Sequence, residues 1–250
     1  MEAQPVNRVP FVVQHPSDRN FFAFYVAIIW AAMVLGFGLD SFKKFNAGKL
    51  DYPWPVHAHA LIFGGWLLLF TAQVLAIRSG NVARHRRTGR LALVFLPLML
   101  IAGLWASLAM DGLKFGHPKT AFPFIAVQFT NVIGSGVLIV AGLIKRGDAA
   151  AHKRLMLMSV LVLTEPGLSR IYAHNLSDLL GEGLWQFWVT TYVGTFILMV
   201  GVGAYDLVTH GRLHSAYVAA FGWALFTEFL ATWLYYAPWW SAVTTRLLGH

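Results

Sequence analysis

Seven apolar runs of about 20 residues each govern what this chain can fold into. As a helix, each is long enough to cross roughly 30 Å of hydrocarbon. They fall near 21–39, 58–77, 91–110, 122–144, 155–173, 185–207 and 217–236. The charge gathers in the turns between them. Only 12% of the residues are charged and 57% are hydrophobic, whereas soluble domains carry about a quarter charged residues. The expected fold is therefore all-α: an integral membrane bundle of about seven transmembrane helices over 21–237. A polar N-terminal tail, 1–20, and an interfacial C-terminal tail, 238–250, complete it. The N-terminal tail lacks an apolar core and a small-residue cleavage site, so it reads as a surface tail and not as a cleaved signal peptide.

The basic residues set an expected orientation. Arg78, Arg84, Arg86, Arg87 and Arg90 fall between the second and third runs; Lys145, Arg146, Lys153 and Arg154 fall between the fourth and fifth. Arg212 lies in the last turn on the same side, and Arg8 and Arg19 precede the first run. The opposite turns hold Lys43, Lys44, Lys49, Lys114 and Lys119. The positive-inside rule then puts the N-terminus inside and the C-terminus outside. The net charge of +8 reports this topology; the basic residues form no separate domain, which argues against nucleic acid. With no cysteine, disulfides and thiolate metal sites are excluded. Each inner turn also pairs histidine with a basic residue, at His85-Arg86-Arg87, His152-Lys153-Arg154 and His210-Gly211-Arg212. The chain thus reads as a lead helix followed by three hairpins.

Two of these turns carry a resemblance. Ala83-Arg84-His85-Arg86-Arg87-Thr88-Gly89-Arg90 and Ala151-His152-Lys153-Arg154-Leu155-Met156-Leu157-Met158 look like the paired HRRxGR and HKRLML cytoplasmic turns of a bacterial family of uncharacterised predicted multi-pass membrane proteins. The segment Val56-His57-Ala58-His59-Ala60, followed by Trp66 to Phe70 and Gln73, is similar to that family's preceding helix, as is Arg170 to its following one. The resemblance covers roughly half the chain. It implies a bacterial cytoplasmic (inner) membrane and supplies no reaction.

Three sets of residues could carry chemistry. The first is His57, His59 and His174, at the expected outer boundary. Histidines on facing helices are the usual axial ligands of membrane haem b, with Arg170 nearby for a cofactor anion. An extended His57-x-His59 could instead chelate a metal ion. In a helix the two point about 160° apart, so only one would face the bundle. The plain alternative is interfacial histidines bonded to backbone or water.

The second set is His85, Arg86, His152 and Arg154. His59 and His85 are about 26 residues apart, roughly 39 Å if helical, which puts His85 in the headgroup layer. The expected role is a cytoplasmic collar that binds anionic lipid headgroups or another anionic ligand. The His210-x-x-x-His214 spacing there suits a simple turn better than a metal site.

The third set is Glu165 and Glu228. They lie about 13 and 14 residues beyond His152 and His214, so both reach roughly 20 Å above the inner boundary. Charges at that depth are costly and face the bundle interior. The expectation is one shared site in which at least one carboxyl has a raised pKa, serving proton transfer or metal binding, or else a structural ion pair with Arg170. Gln73, Gln128 and Asn131 read as interhelical hydrogen bonding, and Asp40, Asp111 and His117 border the outer side.

Three functions follow from these sets. One is a redox or cofactor-binding protein with haem b or a metal at the outer histidines. Another is a proton-coupled transporter or channel using the buried glutamates. The last is a non-catalytic subunit or assembly factor of a membrane complex, held by a protein partner or a second copy of itself.

Overall fold

The structure is a computed structural model that describes residues 11, 15–48, 52–113 and 122–248. The described residues are helical and contain no strand. The long helices are α1 (Asp18–Asn46), α2 (Trp54–Arg78), α4 (Ala92–Leu113), α5 (Ile125–Ile144), α6 (Ala149–Leu180), α7 (Leu184–His210) and α8 (Ser215–Tyr236). Two short ones, α3 (Val82–Gly89) and α9 (Pro238–Leu247), lie at opposite ends of the bundle. Seven helices are long and apolar enough to span a membrane. His117, Lys49, Lys114 and Lys119 lie outside the described residues.

Helix α6 is the axis. It packs against α1, α5, α7 and α8, while α2 and α4 pair with each other and lean on α1 and α5. The consecutive pairs α2/α4, α5/α6 and α7/α8 each pack together as hairpins. The tightest crossing is α1 on α6. A Cβ on Gly36 would stand 2.0 Å from the Gly167 carbonyl oxygen, so only glycine lets the backbones meet there. Large side chains such as Leu61, Leu179, Ile197 and Val208 point outward, where lipid is their natural solvent.

Several boundaries differ from the sequence expectation: α1 runs on to Asn46 instead of 39, α2 begins at Trp54 instead of 58, and both ends of α6 move. Helix α6 begins at Ala149 instead of 155, because Asp148 caps it by accepting from the Ala150 and Ala151 amides at 3.0 and 3.1 Å. His152 and Arg154 are therefore on its first turns and not in a loop. It also runs on to Leu180, so His174 sits inside the helix and not at its end. Likewise His85 belongs to a helix, α3, started by Asn81, whose side chain accepts from the Arg84 amide.

Candidate functional site

The buried polar groups gather around the two glutamates. Glu165 on α6 is 3% exposed and Glu228 on α8 is 6% exposed. Asn131 on α5 donates its Nδ2 to Glu165 Oε2 at 2.6 Å, and Ser169 stands one turn further along α6 beside the same carboxyl. The charge of Glu165 acts on Glu228, and both act on Tyr172 and Tyr192. The four side chains therefore share one electrostatic site where α5, α6, α7 and α8 meet. At 1.5 Å per residue, Asn131, Tyr192 and Glu228 lie about 9–12 Å inward from the near ends of their helices, at one level.

This level is short of partners. Tyr172 is satisfied: its hydroxyl accepts from the Gly194 amide at 2.9 Å and donates to the Thr191 carbonyl at 3.3 Å. Tyr192 OH, Glu228 Oε2 and Trp188 Nε1 are buried with no hydrogen-bond partner, although the Trp188 indole approaches Glu228. Among the described residues, no basic side chain pairs with either glutamate. Arg170, the expected counter-ion, is exposed; it donates to the Pro166 carbonyl and lies 4.4 Å from the Phe37 ring, and its charge acts on Glu165 without an ion pair. Two buried carboxylates so placed cannot both be charged cheaply. A buried group left unpaired calls for a proton, a water or a ligand.

The outer histidines divide. His57 is exposed, with its ring 6.5 Å from that of Tyr52. His59 is half-buried; its ring packs on Phe63 at 4.0 Å, and its Nδ1 is buried without a partner. Of the pair, His59 is thus the inward one. His174 is exposed. Among the described residues, no group of three or more His, Asp or Glu side chains converges to hold a metal.

The inner collar also divides. Arg86 is exposed on α3, and the His85 and His152 rings meet at 6.1 Å. Burial is the main cause holding the His85 imidazole below its ordinary value of 6.5, and the neighbouring His152 and Arg86 add to it. Arg154 departs from the collar expectation: it is 2% exposed and forms a buried ion pair with Asp206 of α7. Its Nε donates to Asp206 Oδ2 at 2.8 Å and its Nη1 to the Ala150 carbonyl at 2.7 Å. A guanidinium so committed is closed to headgroups.

Around this pair sits a cluster that was not expected from the sequence. Phe11 lies over Arg154 at 4.7 Å and stacks on His210 at 4.3 Å. Lys153 bonds Asp18 at 2.7 Å, and the Tyr205 hydroxyl donates to the same carboxylate at 2.9 Å. Asp206 had one legible signal: it is an acidic residue, with Asp18 and Asp148, on the side of the bundle where basic residues predominate. Trp188 and Tyr192 had none, since they read as part of a general aromatic complement. The chain was compared with protein families, curated proteins and solved structures, and it matches none.

Proposed function

We propose that this chain moves protons across a bacterial cytoplasmic membrane, as a proton-coupled transporter or channel, with Glu165 and Glu228 as the carriers. The observation that carries the reading is the pair itself: two buried carboxylates within each other's field, neither in an ion pair with a basic side chain, Arg170 acting on Glu165 only at a distance. A proton relieves their repulsion and can pass between them. The O–H bond broken at one carboxyl is remade at the other, and no electrons change hands. Tyr192, unpartnered beside both, offers a hydroxyl to bridge that transfer. Asn131 holds Glu165 in place. The exposed Arg84, Arg86 and Arg87 of α3 support the basic end as the cytoplasmic one, in contact with anionic headgroups. The paired turns that resemble the bacterial family support the same membrane.

The test is proton flux into vesicles containing the purified protein and a trapped pH dye, driven by a potassium diffusion potential. Flux above protein-free vesicles, abolished by Glu165→Gln and by Glu228→Gln, is the expected result. Wild-type flux equal to empty vesicles, or flux unchanged in both variants, overturns the reading.

A second reading, haem b or metal bound at the outer side, is favoured by the unpartnered Nδ1 of His59. His174 is exposed, so this reading has one inward histidine there and not two. A Soret band in the purified protein that is lost in His59→Ala would establish it; a colourless protein after cofactor-replete expression would remove haem.

A further inference from the structure

The short helix α3 has no place in the proton reading, yet it carries His85 directly onto His152. The two rings are 6.1 Å apart and nearly perpendicular, at 84°. His152 Nδ1 lies 2.8 Å from the Gly142 carbonyl. A carbonyl only accepts, so Nδ1 holds the proton and Nε2 keeps a free lone pair. Such a backbone carbonyl behind the distal ring nitrogen is the usual support of a metal-ligating histidine. His85 Nδ1 is buried with no partner.

The backbone carbonyl of Gln73 on α2 accepts from the His85 ring. Nδ1 has no partner, so that bond falls to Nε2, and Nδ1 keeps the lone pair. The place therefore presents lone pairs from two imidazoles, each held by a backbone carbonyl behind it. Two acceptors cannot satisfy one another; a cation can satisfy both.

The spacing fits an ion. Metal–nitrogen bonds of about 2.0–2.1 Å, plus roughly 1.1 Å from each nitrogen to its ring centre, separate two coordinated imidazoles by up to about 6.3 Å. The observed separation lies just inside that limit, so the two nitrogens would stand nearly opposite one another across the ion, as in a tetragonal site and unlike zinc's tetrahedral one. The ligand set has no carboxylate and stands beside Arg86, which disfavours hard cations such as magnesium or calcium. Imidazole nitrogen in a tetragonal arrangement suits copper or nickel. We propose that His85 and His152 bind a divalent transition-metal ion of the copper and nickel class at the basic end of the bundle.

The test uses the full chain, purified with a histidine-free tag, stripped with chelator, loaded with Cu²⁺ and desalted. One copper per chain is expected, with an electron paramagnetic resonance spectrum split by two imidazole nitrogens. His85→Ala and His152→Ala should each weaken binding by more than about 100-fold, beyond the loss usual for an outer-shell partner. His57→Ala and His174→Ala, at exposed histidines, should leave it unchanged. Less than a tenth of an equivalent retained, a wild-type spectrum without two nitrogens, or equal loss in the exposed-histidine variants would each overturn the site.

Discussion

At the scale of single residues, the Arg154–Asp206 pair shows why a basic motif is an ambiguous sign. In sequence, Arg154 stands in a His-Lys-Arg run and reads as a headgroup contact. Its partner lies far along the chain on another helix, and no local pattern joins them. Removing one partner leaves an uncompensated buried charge, which costs about 3–5 kcal/mol, whereas replacing both with apolar groups is often neutral. Arg154→Leu and Asp206→Leu should each lower the unfolding midpoint in detergent strongly, and the double variant should recover most of the loss. A double variant as weak as the sum of the two would refute the pairing energetics.

His214 makes a pH prediction. Its ring nitrogen accepts from the Ala216 amide at 3.1 Å and so caps α8. Burial holds this imidazole below its ordinary value of 6.5, and Arg154 and Lys153 of α6 act in the same direction. Asp206 of α7 and Asp148 oppose them. The neutral form is the native one, so the cap's stabilisation is complete above 6.5 and is lost as pH falls through the lowered folded value. Thermal melts should show this acid sensitivity disappearing in His214→Asn, which caps without titrating. His214→Ala should cost about 1 kcal/mol at neutral pH.

At the scale of elements, the spans were legible because lipid imposes a length and a composition. Helix ends were less so. The apolar run marks where hydrocarbon begins, while α6 continues beyond it in both directions, through Ala149–Ala151 on one side and the polar stretch to Leu180 on the other. Helix contacts were hidden for a related reason. Gly36 and Gly167 are unremarkable in a glycine-bearing membrane sequence until α1 and α6 are seen to cross on them. Gly36→Ala should separate the two helices and lower the melting temperature, while Gly38→Ala, with open space around it, should be nearly neutral. Equal effects at the two positions would contradict the crossing.

At the scale of the whole molecule, one central helix joins three polar clusters between two differently built ends. Helix α6 brings Arg154 to the ionic cluster, His152 to His85, and Glu165 to Glu228. The depth match of the two glutamates was readable by counting residues from the inner histidines, since helical rise converts number to height. What surrounds them was not readable, because Asn131, Trp188 and Tyr192 come from two other helices whose rotation about their own axes only packing decides. The absence of cysteine makes orientation easy to test with single-cysteine labelling. Gly147→Cys should react with an impermeant reagent from the cytoplasmic side and Ser241→Cys from the opposite side; the reverse pattern would invert the expected topology.

The central claim is that Glu165 and Glu228 share a proton inside the bundle. Infrared spectroscopy of the reconstituted protein at neutral pH reads it directly, through the carbonyl stretch of a protonated carboxyl group. A band in that region that is removed or shifted by Glu165→Gln and by Glu228→Gln is the predicted result. A wild-type spectrum without such a band, or a band that neither substitution disturbs, would contradict it.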